Sequence, residues 1–167
     1  MFVRELADRA RGLRAASFER QMGPFALMQR PPPESRVEQS KASGPGTSLN
    51  PVFQLKPPPS SIDFGDLLVA LLPPPTADGL LELFIGRSAD CELVIEDVQV
   101  SKKHAVIRWN GTAGVISELG SSNGTFINRH EMKDEWTLRD GDGLSFGQSH
   151  FIHLVAGSLH RRIGTLR

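Results

Sequence analysis

Three short stretches of the chain collect hydrogen-bond donors where apolar runs stop or start. They are Ile85-Gly86-Arg87, Ser101-Lys102-Lys103-His104 and Gly120-Ser121-Ser122-Asn123-Gly124-Thr125. Together they offer a guanidinium, hydroxyls, ammonium groups, a carboxamide and backbone N–H groups, with few acids among them. Donors gathered on loops in this way suit a small anion. Arg87 follows a glycine, which clears space beside it and widens the backbone's choice of conformation. Its guanidinium is always charged and forked, so it can make two bonds to one phosphate; its plainer role is a surface ion pair with Asp90 or Glu92. Ser101 presents a hydroxyl at a strand start, and Lys102 adds a point charge beside it. Lys103 reads as part of a solvated face. Asn123 carries donor and acceptor ends and can clamp a peptide main chain. Ser-Asn-Gly is also a tight-turn sequence, and the two readings agree, because the turn aims the side chains.

A second chemistry is worth weighing. Ser101 and His104 stand three residues apart, as a nucleophile and its base might. No acid is obviously placed to orient His104, and no oxyanion-hole motif accompanies the pair. His104 is therefore expected to bond loop backbone rather than to catalyse. No kinase, P-loop, zinc or hydrolase motif appears elsewhere. The single cysteine, Cys91, allows no intrachain disulfide and no cysteine-based zinc site. No metal, cofactor or enzymatic activity is expected.

The elements that must position these loops are short and apolar. Leu67–Leu72, Leu80–Ile85, Leu93–Ile95, Ala105–Trp109, Gly114–Leu119, Thr125–Asn128, Trp136–Leu138, Leu144–Phe146 and Phe151–Ala156 read as strands. Turn dipeptides such as Asn110-Gly111 and Gly141-Asp142 separate several of them. Many short strands with no helical period argue an antiparallel β-sandwich over residues 62–157. Residues 1–22 carry Val3, Leu6, Ala10 and Leu13 at helical spacing and read as a short amphipathic helix. Residues 23–60, with Pro31–Pro33 and Pro57–Pro59, read as a linker rich in Pro, Ser and Gly. Residues 158–167 read as a C-terminal tail, either a short helix or disordered.

Charge separates the same regions. The formal net charge is zero, yet residues 1–60 hold nine Lys/Arg against five Asp/Glu and residues 61–167 hold ten against fourteen. A neutral chain argues against a general nucleic-acid or anionic-membrane binder. No apolar run reaches the roughly 18 residues of a membrane-spanning helix. Glu5, Asp8 and four arginines interrupt any leader-like core before Arg20. A reducing, cytoplasmic setting is the expectation.

At these separations GR…SxxH…SSNGT resembles the forkhead-associated (FHA) domain, a phosphothreonine-peptide binding module. The resemblance covers about residues 62–157. It implies an all-β fold, an eleven-strand sandwich with the binding loops at one end; it says nothing of the first sixty residues, whose own sequence reads as a mostly disordered or helical N-terminal extension. It implies that Arg87 is the main phosphate ligand, with Ser101 and Lys102 beside it. Ser122 would contact phosphate or peptide, and Asn123 the ligand backbone. Gly86, His104, Gly124 and Asn128 would be scaffold, as would the Gly141-Asp142 turn. Two positions depart from the family's pattern: Glu118 stands where aspartate is frequent, and Arg129 follows Asn128 where glycine is frequent. The expected partner is a phosphothreonine-containing protein, a Ser/Thr kinase or its substrate, which makes the chain a signalling adaptor. The alternative is a scaffold that keeps the fold but binds through its basic N-terminal segment. Thr47, the one threonine before residue 60, is a candidate phosphosite, since some small family members are switched by phosphorylation of their own tails.

Overall fold

The computed structural model describes residues 3–10, 12–29, 67–70 and 81–165. Eleven strands among them form two facing sheets. The first holds β1 (Phe25–Gln29), β2 (Leu67–Ala70), β7 (Thr125–Ile127), β8 (His130–Glu131), β10 (Gly143–Phe146) and β11 (Ser149–Val155), in the order β2-β1-β11-β10-β7-β8. The second holds β3 (Leu81–Gly86), β4 (Leu93–Val94), β5 (Ala105–Trp109), β6 (Gly114–Glu118) and β9 (Trp136–Thr137), in the order β4-β3-β5-β6-β9. All neighbours are antiparallel except β3 and β4, which run parallel. The central strands keep the pleat's alternation. Leu83 lies opposite Ile107, and Ile107 opposite Ile116, so all three point to one face. Leu27, Ile127, Leu144 and Phe146 meet them from the other sheet, and all seven are essentially inaccessible to water.

A second apolar layer sits on the outer face of the first sheet. Helices α1 (Val3–Ala10), α2 (Ala15–Met22) and α3 (Ala156–Gly164) supply Leu6, Ala7, Ala10, Phe18, Leu159 and Ile163 to it. Ala26, Met28 and Leu154 supply the sheet side. Strand β1 thus serves both cores, with Phe25 and Leu27 inward and Ala26 and Met28 outward. The His160 Nε2–H donates to the Leu13 carbonyl at 2.8 Å, and its ring lies 5.1 Å from that of Phe18. That joins the two ends of the described chain. Fully burying a side chain such as Phe18 is worth about 1.5–3 kcal/mol.

Two expectations need correction, and one strand was not foreseen. The helix expected over residues 1–22 is broken at Gly12, whose φ of +83° turns the chain between α1 and α2. The linker expected from residue 23 does not begin there, since Phe25–Gln29 is a strand between β2 and β11. Of the two readings of the C-terminal stretch, helix or disorder, the structure has the helix, which runs through Gly164 and packs on the sheet. Strand β8 was not anticipated, because His130-Glu131 is polar and both residues are exposed. Thr47, Pro31–Pro33 and Pro57–Pro59 lie outside the described residues. No described helix is long and apolar enough to cross a membrane.

Candidate functional site

The sheet registers decide which loops meet. Ile85 pairs with Ala105, and Ala105 pairs with Glu118. The chain therefore leaves β3, enters β5 and leaves β6 at one end of the sandwich. Phe146 pairs with Thr125, which brings the start of β7 to that same end in the other sheet. Arg87, Ser101, Lys102, Ser122 and Asn123 all stand on these connections. Asn128 does not, because it follows β7 at the far end.

Hydrogen bonds lock the first two loops together. The Arg87 N–H donates to the Ser101 carbonyl at 2.9 Å, and the Ser88 N–H to the Lys102 carbonyl at 3.1 Å. The Arg87 Nε–H donates to the Val100 carbonyl at 3.2 Å. That bond fixes the plane of an exposed guanidinium and leaves its two terminal nitrogens without a protein partner among the described residues. Neither surface ion pair considered for Arg87 forms. Asp90 lies 3.8 Å from Lys103 Nζ, and Glu92 accepts the Phe84 N–H at 2.7 Å. Lys103 also lies over the Phe84 ring, and Lys102 is exposed. Gly86 is needed for space alone: its φ is not in the left-handed region, but a Cβ there would collide with the Lys102 carbonyl.

The third loop is tied to the second by three bonds. Ser101 Oγ accepts the Ser122 N–H at 3.1 Å, and Asn123 Nδ2 donates to the Gln99 carbonyl at 2.7 Å. His104, fully buried, makes the third. Its Nδ1 accepts the Ser101 N–H at 3.1 Å, and its Nε2 lies 3.2 Å from the Gly124 carbonyl. A backbone N–H only donates and a carbonyl only accepts, so the proton sits on Nε2. The imidazole is consumed by loop backbone and does not reach the Ser101 hydroxyl. A nucleophile–base pair is not built.

Glu118 was read only as a departure from a family pattern. It is the hub of the third loop. Its carboxylate accepts the N–H groups of Gly120 and Ser121 and the hydroxyls of Ser121 and Thr125. Ser121 Oγ in turn accepts the Gly124 N–H at 3.0 Å. Burial pushes the Glu118 carboxyl up, but the bonds from Ser121 and Thr125 outweigh it and hold the group below its ordinary value. Asp97 plays a similar part for the second loop, accepting the Gln99 N–H at 2.9 Å and the Gln148 N–H at 2.8 Å. An acid two residues before a glycine or glutamine is too common a pattern to single out either residue by sequence.

At the far end, Asn128 Nδ2 donates to Asp142 at 2.8 Å and its Oδ1 accepts the Gly143 N–H at 2.9 Å. No group of three or more His, Cys, Asp or Glu among the described residues is arranged to hold a metal ion. The open loop end can therefore present one guanidinium, one ammonium, hydroxyls and a carboxamide, with the nearest carboxylates already engaged by backbone. Such an array binds an oxyanion and a strand-like main chain beside it.

The family model for the FHA domain matches residues 83–147. The FHA domain-containing protein FhaA of Mycobacterium tuberculosis is 40% identical over 68 residues, which cover 41% of this chain and 13% of FhaA. A crystal structure of the FhaA FHA domain complexed with the intracellular domain of Rv3910 is 38% identical and is covered over 78% of its length, with a TM-score of 0.42 over 43% of this chain. The oxoglutarate dehydrogenase inhibitor of Corynebacterium jeikeium is 38% identical over 69 residues, or 41% of this chain and 47% of that protein. The FHA domain of CT664 from Chlamydia trachomatis shares the fold at 16% identity, with a TM-score of 0.50 over 79% of this chain and 97% of its own. The chain spans less than half the length of the curated relatives named here.

Proposed function

The chain belongs to the FHA-domain family, and from that premise we propose that its loop end binds phosphothreonine-containing peptides, making it an adaptor that reads Ser/Thr kinase output. The observation that carries the reading is the bonded path from Arg87 to Ser101 and from Ser101 to Ser122, which gathers the donors at one end. A phosphothreonine brings nearly two negative charges and three strong acceptors. In this reading Arg87 meets two phosphate oxygens with its terminal nitrogens, Ser101 donates its hydroxyl proton and Lys102 adds charge. Ser122 contacts phosphate or peptide. Asn123 holds the ligand main chain through its carbonyl oxygen and its second amide N–H, the first being bonded to Gln99. Gly86, His104 and Gly124 shape these loops, and Asn128 braces the opposite end. Discrimination of threonine from serine rests on a niche for one methyl, worth about 1–3 kcal/mol.

The proposed recognition unit is the sandwich over 62–157, completed by β1 and the three helices. The partner is a phosphorylated protein, a Ser/Thr kinase or its substrate, met in the cytoplasm, and no reaction is catalysed. Thr47 remains a candidate for phosphorylation by such a kinase. The alternative, a scaffold binding through the N-terminal segment, is less well supported, because Leu6, Ala10 and Phe18 already spend their apolar surface on the protein's own sheet. A phosphopeptide library screened on the full chain tests the reading. Selection of phosphothreonine over threonine and over phosphoserine supports it, and retention independent of phosphate contradicts it.

A further inference from the structure

Two Asn-Gly pairs stand in exposed turns, Asn110-Gly111 and Asn123-Gly124. In this dipeptide the glycine nitrogen can reach the preceding side-chain amide, because no Cβ obstructs the approach. The two pairs are held in opposite ways. Asn110 Oδ1 accepts the N–H groups of Thr112 and Ala113, each at 2.9 Å. Those donors point at the oxygen that becomes negative when the amide carbon is attacked, which is where fixed dipoles lower a barrier. Gly111, at φ +93°, has no atom within 4 Å of its Cβ position, and its N–H meets no protein acceptor among the described residues. At the other pair the Gly124 N–H is bonded to Ser121 Oγ and Asn123 Nδ2 to the Gln99 carbonyl. No described donor reaches Asn123 Oδ1, so attack there would break two bonds and find no stabilised oxyanion.

We propose that Asn110-Gly111 is a site of spontaneous deamidation and isoaspartate formation, and that the loop network shields Asn123 from the same reaction. The Gly111 nitrogen gives its proton to water or hydroxide and bonds to the Asn110 amide carbon. The bond from that carbon to Nδ2 breaks, and Nδ2 takes a proton from solvent and leaves as ammonia. Water then opens the resulting succinimide at either carbonyl, giving aspartate or isoaspartate. Solvent water is the one co-reactant, and nothing is oxidised or reduced. Trp109 pairs with Gly114 at the end of the β5–β6 hairpin opposite the Ala105–Glu118 pair. The new negative charge therefore falls far from Arg87, and peptide binding is untouched. The residue whose amide the proposed function needs is the one kept intact.

The test is prolonged incubation of the full chain in mildly alkaline buffer, followed by ammonia release, isoaspartate labelling and peptide mapping. Acid at position 110 should form at least about tenfold faster than at position 123, a barrier difference of about 1.4 kcal/mol. Gly111→Ala should suppress it. In denaturant the two sites should convert at similar rates, and Ser121→Ala should speed conversion at Asn123 in the folded protein. Equal rates at the two sites in the folded chain, conversion at Asn123 first, or no conversion at either would overturn the proposal. Because the readout is covalent and needs no ligand, its failure is distinct from failure of the peptide-binding reading.

Discussion

Gly86 lies directly against the main-chain carbonyl of Lys102, leaving no room for even a methyl group between β3 and the loop that carries Ser101. The neighbouring bonds, Arg87 N–H to Ser101 and Ser88 N–H to Lys102, depend on that approach. Gly86→Ala should therefore push the two loops apart. Overpacking of this kind costs about 1–3 kcal/mol. We expect a lower urea midpoint together with weakened phosphopeptide binding. A variant as stable and as tight-binding as the parent would show that the contact can relax.

Glu118 makes the third loop sensitive to acid. Its folded carboxyl is held below the ordinary value of 4.5, so it contributes stability above that value and loses it as pH falls through the lowered one. Glu118→Ala leaves four donors without their acceptor and should cost about 1.5–3 kcal/mol. Circular dichroism under urea, repeated at falling pH, checks both statements. An acid transition unchanged by Glu118→Gln would count against the hub.

His153 gives a second dependence of the same sign, at higher pH. It is fully buried, its Nδ1–H donates to the Arg139 carbonyl at 3.0 Å, and its Nε2 has no hydrogen-bond partner among the described residues. Burial holds the imidazole below the ordinary 6.5, against the pull of the Arg139 carbonyl, Asp142 and Asp140. The unfolded chain then binds the proton more readily than the fold does. Stability should fall as pH drops from about 7.5 through 6.5 towards the lowered value. His150, also lowered by burial, acts in the same sense. His153→Leu should flatten the slope as pH falls below 6.5. An unaltered slope would place the titration elsewhere.

Phe18 tests whether the helices belong to the domain. It is fully buried in the outer layer, although it lies far outside the matched stretch 83–147. Phe18→Ala should cost about 3–5 kcal/mol of global stability. A loss under about 0.5 kcal/mol, the usual range of a surface change, would mean that the layer is dispensable.

Much of the sandwich was legible because its central strands alternate or form short apolar runs between turn residues. Leu83, Ile85, Ile107 and Ile116 fall on one face. The loop donors were legible because each motif is local and the registers bring strand ends together. Strand β1 was not, since Phe25-Ala26-Leu27-Met28 is buried on both faces and shows no alternation, and it stands between Gly23-Pro24 and Pro31–Pro33. Helix α3 was legible only as one of two options, helix or disorder, because its apolar residues make sense only once Leu6 and Phe18 fold back onto them. Glu118 escaped because its importance lies in four donors that converge on it after folding, which no spacing encodes.

Arg87 carries the central claim. Its guanidinium is exposed and anchored through Nε alone, so Arg87→Ala should leave stability within about 0.5 kcal/mol of the parent. Isothermal titration of the full chain with a phosphothreonine peptide and its unphosphorylated twin is the most direct measurement. Binding should require the phosphate and weaken by about 1.5–3 kcal/mol in the Arg87→Ala protein. Equal affinity for the two peptides, or an Arg87→Ala protein that binds the phosphopeptide as tightly as the parent, would contradict it.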